Sequence, residues 1–184
     1  MALARWKRLS TVIRWRNPWW SYCLDRYRLS SGYEGEYHYV STPGSAMIIP
    51  VLEDGRVVMV KQYRYLNRRD SLEFPAGGMK EGVDAVTTAR NELKEETGYT
   101  AEKLVQLGSF NPFNGVTDEI CRVYLAQGLT PGDSRPDAME EFECVAQTRD
   151  DVNARIADGT IWDGMSLAAW CLFLKRRVEV SSHP

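Results

Sequence analysis

Three glutamates, Glu92, Glu95 and Glu96, fall within five residues of one another near the end of a segment whose apolar residues recur at helical spacing. Residues at i, i+3 and i+4 are neighbours on a helix surface, so these carboxylates repel one another. They also stand just before Gly98, where the negative end of the helix dipole disfavours anions. Such a cluster calls for a compensating cation. Carboxylate oxygens are hard ligands suited to Mg²⁺ or Mn²⁺, and divalent ions shared between a few carboxylates and phosphate oxygens are the usual arrangement for phosphoryl chemistry. The competing reading is a solvated acidic helix face.

The flanks favour the first reading. Phe74-Pro75-Ala76-Gly77-Gly78 precedes the helix, a rigid proline followed by glycines that let a backbone turn sharply or pass close to a ligand. Gly82 breaks the loop again, Asp84 offers an N-cap, and Val86, Ala89 and Leu93 mark an apolar stripe. Gly98 closes the element. The spacing predicts a helix over 84–97 with its acids at the far end.

Gly77, Glu92, Leu93, Glu95, Glu96, Gly98 and Tyr99 stand in register with G-x5-E-x7-R-E-U-x-E-E-x-G-U, where U is apolar or aromatic. On these residues the chain resembles the Nudix hydrolases. Two signature positions differ: Val83 replaces the first glutamate and Asn91 the arginine, with Arg90 one residue earlier. Upstream, Val57 to Tyr65 carries Gln62-Tyr63-Arg64 and is followed by Leu72-Glu73-Phe74-Pro75-Ala76-Gly77. This combination resembles the branch that cleaves ADP-ribose and other nucleoside diphosphate sugars. The resemblance spans roughly residues 20–175.

That resemblance implies a set of roles. Glu92, Glu95, Glu96 and the backbone carbonyl of Ala76 would hold Mg²⁺ or Mn²⁺, with Glu95 counted among the catalytic residues too. Arg64 would face the diphosphate and Glu73 would help hold the ligand. In Asp137-Ala138-Met139-Glu140-Glu141-Phe142-Glu143, Glu140 matches the loop glutamate that deprotonates or positions the attacking water, and Glu141 is the second candidate. Asn114 occupies the place of a proline diagnostic for ADP-ribose pyrophosphatases, which points to a nucleotide sugar without strict ADP-ribose specificity. Hydrolysis of the diphosphate would give a nucleoside monophosphate and a sugar phosphate. The alternatives are a Nudix enzyme acting on nucleoside triphosphates or capped RNA, and a sensor that binds nucleotide sugars with weakened catalysis.

At 184 residues, with 43% hydrophobic and 26% charged residues, the chain is long enough for one globular core. A formal charge of −2 gives no global reason to expect nucleic acid as a partner. No apolar run approaches the roughly 18 residues that would mark a membrane span. Cys23, Cys121, Cys144 and Cys171 form no C-x-x-C pair, so neither a zinc site nor a disulfide framework is expected, and a cytoplasmic location is the default.

Met1 to Leu24 holds five of the basic residues, no acid, and Trp6, Trp15, Trp19 and Trp20. With Leu3, Trp6, Leu9 and Ile13 it could form a short basic amphipathic helix suited to a membrane surface or a targeting peptide. The other reading is an arm packed on the domain or on a partner subunit; in the resembling branch an N-terminal β-rich region builds a homodimer. Tyr22 to Arg28 and Glu36 to Val40 have β-type composition. We therefore expect a dimerisation segment over 1–45 and a Nudix domain over 46–184. Strands are expected near 46–52, 56–65, 104–110, 119–126 and 141–147, a hairpin turn at Asp54-Gly55, and a last helix at 150–157 or 163–177. The pattern indicates an α/β protein, a Nudix-type α/β/α sandwich with a mixed sheet and an N-terminal β-rich dimerisation arm.

Overall fold

A computed structural model describes residues 3–133 and 143–181, with backbone alone over 177–181. The chain begins as an antiparallel meander of β1 (Lys7–Arg16), β2 (Ser21–Arg28) and β3 (Glu34–Ser41). The amphipathic-helix alternative for the amino terminus is thereby corrected. The spacing of Leu3, Trp6, Leu9 and Ile13 mimics a helix, but Thr11-Val12-Ile13 is β-branched and pairs with Asp25, Leu24 and Cys23 of β2, which imposes the two-residue period of a strand. Bulges between Arg8 and Ser10 and between Ile13 and Trp15 interrupt that period.

The main body follows. β4 (Ser45–Pro50), β5 (Val57–Arg64), β6 (Arg69–Glu73) and β7 (Ala76–Gly78) lead into α1 (Ala85–Thr97), then β8 (Thr100–Phe110), β9 (Cys121–Thr130), β10 (Glu143–Gln147), α2 (Arg149–Ala157) and α3 (Gly164–Ser181). These strands make two sheets, ordered β7-β4-β9-β8 and β10-β5-β6. The first is mixed, since β4 runs parallel to β9 and antiparallel to β7. The Asp54-Gly55 turn forms as expected, with Gly55 N–H donating to Leu52 O at 3.0 Å. The strands it joins then part into different sheets after the single bridge Val51–Val57.

Alternation on β4 explains the layering. Ala46 and Ile48 face α1 and pack on Ala85, Ala89 and Leu93, while Met47 and Ile49 face a larger core with Met59, Phe74, Trp170 and Phe173. The four-stranded sheet thus lies between α1 on one side and the second sheet with α2 and α3 on the other. Both candidate segments for a last helix are helical. On α1, Ala85 rather than Val86 joins the core, and Val86 is exposed. Asp84 caps this helix, its carboxylate accepting from Thr87 N–H at 2.8 Å, and Gly98 ends it with a left-handed φ of 76°.

Candidate active site

Arg64 and Glu73 meet across adjacent strands. In the antiparallel β5–β6 ladder Glu73 stands opposite Val60, so its side chain emerges on the face shared by Val60, Gln62 and Arg64. Glu73 is only 2% exposed. It accepts a hydrogen bond from Arg64 Nε at 2.7 Å and a second from Arg64 Nη2. This two-pronged bond holds the guanidinium in a fixed plane and raises its pKa above the ordinary arginine value, with Asp163 and Glu96 adding to the effect. One side of Arg64 remains open to solvent.

The carboxyl end of α1 packs over the same sheet face. Cys144 on β10 stands opposite Val60, in line with Glu73, and its thiol donates to the backbone carbonyl of Glu96 at 3.5 Å. Burial raises the pKa of this thiol. Glu96 itself is buried, Glu92 half-buried and Glu95 exposed. Among the described residues no three acidic, histidine or cysteine side chains form a ready-made metal cage.

The donors nevertheless fit a hard divalent ion. Mg²⁺ is usually held through one or two carboxylates together with water and substrate phosphates, so a closed protein cage is not required. A carbonyl is also available. Ile48 N–H donates to Pro75 O at 2.8 Å and Met79 N–H to Gly44 O at 2.8 Å, while Met47 stands opposite Ala76. In an antiparallel ladder, hydrogen-bonded and non-hydrogen-bonded pairs alternate, so Met47–Ala76 is a non-hydrogen-bonded pair. The Ala76 carbonyl therefore points away from β4, and β7 is an edge strand with no neighbour on that side among the described residues. At the next residue a Cβ on Gly77 would lie 2.1 Å from Glu92 Oε1. The glycine leaves the space into which the Glu92 carboxylate projects.

The two departures from the signature are also placed. Asn91 is exposed on α1, and Val83 is half-buried in the turn before Asp84, donating to Lys80 O at 3.0 Å. Arg90 does not stand in for the missing arginine: its Nη1 donates to Ala101 O at 2.9 Å, tying α1 to β8. Asn114 is exposed in the loop between β8 and β9. That loop is fastened to β3, where Val40 N–H donates to Val116 O at 2.8 Å, Tyr37 Oη to Gly115 O at 3.0 Å, and Ser41 Oγ to the Asp118 carboxylate at 2.7 Å. Glu140 and Glu141 lie outside the described residues.

A family model described as NUDIX domain matches residues 42–163. The chain belongs to the Nudix hydrolase family. This Nudix hydrolase is 32% identical over 143 residues to an ADP-ribose pyrophosphatase of Bacillus subtilis (strain 168), covering 77% of each chain. It is also 32% identical over 148 residues to a methanol dehydrogenase activator of Bacillus methanolicus, covering 79% of this chain and 80% of the relative. A solved structure titled as an ADP compounds hydrolase superposes with a TM-score of 0.83 at 21% identity, covering 100% of this chain and 98% of that one, and shows the same fold.

Sequence reasoning missed one support of the strand that carries Glu73. At the start of α3, Trp162 touches Arg69 and Asp70 of β6, and Ser166 touches Phe74 just after that strand. Asp163 accepts from Ser166 N–H at 2.8 Å, an N-cap that the D-x-x-S spacing could have signalled. Nothing in the sequence signals that Ser166 Oγ accepts from the backbone N–H of Phe74 at 3.1 Å, because that contact joins residues 92 positions apart.

Proposed function

We propose that this chain hydrolyses the diphosphate linkage of nucleoside diphosphate sugars, releasing a nucleoside monophosphate and a sugar phosphate, with ADP-ribose as the first candidate substrate. The observation that carries this reading is the buried Glu73 fixing Arg64 on the sheet face over which the Glu96 end of α1 packs. A planar guanidinium with one side open to solvent suits a diphosphate, which it can grip through two parallel hydrogen bonds. The relatives named ADP-ribose pyrophosphatase, in Bacillus subtilis and, at 35% identity over 118 residues, in Mycobacterium tuberculosis, support the choice of substrate.

Ala76 O, Glu92, Glu95 and Glu96 would hold Mg²⁺ or Mn²⁺, and such an ion supplies charge neutralisation of the diphosphate and a water brought in line with one phosphorus. Arg64 binds the diphosphate, and Glu73 keeps Arg64 in its plane. Glu140 accepts the proton of the attacking water, with Glu141 as the second candidate. Asn114 lies in the loop that reads the sugar or base. The exposed Trp6, Trp15, Trp19 and Trp20 on the β1-β2-β3 unit support residues 1–45 as the dimerisation segment of a homodimer, Trp19 being 73% exposed. Four free cysteines support the cytoplasm as its location. No helix among the described residues is long and apolar enough to cross a membrane.

The test is product formation from ADP-ribose, GDP-mannose, UDP-glucose and nucleoside triphosphates with Mg²⁺ or Mn²⁺, using Glu96→Gln and Glu140→Gln as controls. Metal-dependent cleavage of a diphosphate sugar that collapses in both variants is expected. Exclusive cleavage of triphosphates, or turnover untouched by either substitution, would defeat the proposal.

A further inference from the structure

The face of β6 that carries Glu73 is held by its ends. In register, Arg64 stands directly opposite Arg69, a like-charged pair that should push the strands apart. The structure resolves the conflict by sending the two guanidinium groups to different partners. Arg64 goes to Glu73, while the Arg69 guanidinium stacks over the Trp162 ring at 3.7 Å. The same indole donates its N–H to Asp70 O at 3.0 Å. At the other end of the strand, Ser166 Oγ accepts from Phe74 N–H, and both residues are 1% exposed. Ser166 is in turn fixed by its own N–H bond to Asp163. Between these anchors Ser71 Oγ is buried with no hydrogen-bond partner among the described residues, so that side chain adds no polar anchor of its own.

From these contacts we propose that Ser166, together with Trp162, is a positioning residue for the Arg64–Glu73 pair. The start of α3 fixes the two ends of β6, and through them the depth and direction from which Glu73 meets Arg64. Phe74 is the immediate neighbour of Glu73 and lies two residues before Ala76, so the Ser166 bond also bears on the carbonyl donor at the start of β7. Trp162 keeps the Arg69 charge on its own ring and away from the guanidinium that meets the diphosphate. The inference rests on the proposed role of Arg64 toward a diphosphate.

The experiment compares Ser166→Ala, Ser166→Thr and Trp162→Phe in the full chain with two readouts. One is KM and kcat for ADP-ribose with Mg²⁺; the other is the Kd of inorganic pyrophosphate, measured by titration calorimetry with Mg²⁺ and no sugar nucleotide. Ser166→Ala is expected to raise KM and the pyrophosphate Kd about tenfold, the scale of one hydrogen bond, with kcat changed less. Ser166→Thr, which keeps the hydroxyl, is expected to restore both. Trp162→Phe keeps a ring under Arg69 and removes only the N–H bond, so a smaller shift in the same direction is expected even if Ser166→Ala folds poorly. A merely structural role would lower the thermal midpoint and leave KM and Kd of the folded protein at wild-type values; that outcome overturns the proposal. Should the wild-type chain turn over no diphosphate sugar, the functional reading fails, and the pyrophosphate titration still decides between positioning and plain packing.

Discussion

Glu73 lies buried beneath Arg64, and the guanidinium is its charged partner in a two-pronged bond. Replacing Arg64 by Met leaves that carboxylate buried beside an apolar side chain. Breaking a fully buried pair costs about 3–5 kcal/mol, and because Arg64 keeps one side in solvent the expected loss here is about 2 kcal/mol. The double variant Arg64→Met/Glu73→Gln should recover most of that stability, while kcat/KM stays low in both. Urea unfolding of the two single variants and the double variant gives the coupling energy; strictly additive losses would show that the pair is not coupled.

Gly77→Ala tests the space beside Glu92. Gly77 does not adopt a left-handed backbone, so alanine is tolerated there, and the obstacle is the Glu92 carboxylate, the movable end of a flexible side chain. The substitution should change the thermal midpoint little and weaken Mn²⁺ binding and kcat/KM by about tenfold or more, since one carboxylate of the set is pushed aside. Unaltered Mn²⁺ affinity would mean that Glu92 does not serve the ion from this position.

Acid should weaken the fold through its helix caps. Hydrogen bonds from the backbone and side chain of Thr87 hold the Asp84 carboxyl below the ordinary aspartate pKa, and bonds with Thr148 do the same for Asp151. With folded values below the unfolded ones, protons bind the unfolded chain first. The stabilisation is complete above the unfolded aspartate value of about 3.9 and is lost as pH falls through the folded values. Asp84→Asn keeps a good cap that does not titrate. Its thermal midpoint should match wild type at pH 7 and fall less steeply between about pH 4 and 2.

The thiols should divide into two classes. Cys23 and Cys121 are buried, and burial pushes the Cys121 thiol up to about 11; Cys144 and Cys171 are exposed. A thiol-reactive chromophore at pH 8 should label the two exposed sites in the folded protein, Cys144 the more slowly because burial raises its pKa, and the other two only on unfolding. Because Cys144 touches the Glu96 backbone, its alkylation should also lower activity, and Cys144→Ser should make the enzyme resistant to the reagent.

The helix bearing the acids, the glycine before it and the strand carrying Arg64 were legible because each is specified locally, by a cap, a spacing or an apolar run. The Asp54-Gly55 turn was legible as a turn, but which sheet each flanking strand would join depends on the distant partners Cys121–Ala126 and Glu143–Gln147. Arg90 is adjacent in sequence to the missing signature arginine, yet one residue turns a helical side chain by about 100°, which carries it to Ala101 and away from the glutamates. Trp162 and Ser166 escaped notice for a different reason. An indole N–H or a serine hydroxyl shows what it can bond to, and only the tertiary fold shows where the partner lies.

The three-residue strand at Ala76 owes its open carbonyl to parity alone: alternate residues along an antiparallel edge turn their amides inward and outward. A side chain at position 76 that fits beside the core therefore leaves what the backbone offers there unaltered. Deleting or inserting a single residue between Glu73 and Gly77 would instead turn that oxygen inward and spend it on β4. What the backbone offers at position 76 thus depends on the length of this segment rather than on the side chain there. A library built to diversify the enzyme should keep the residue count fixed, keep the buried Phe74 and Pro75, and limit position 76 to side chains that the partly buried site can hold.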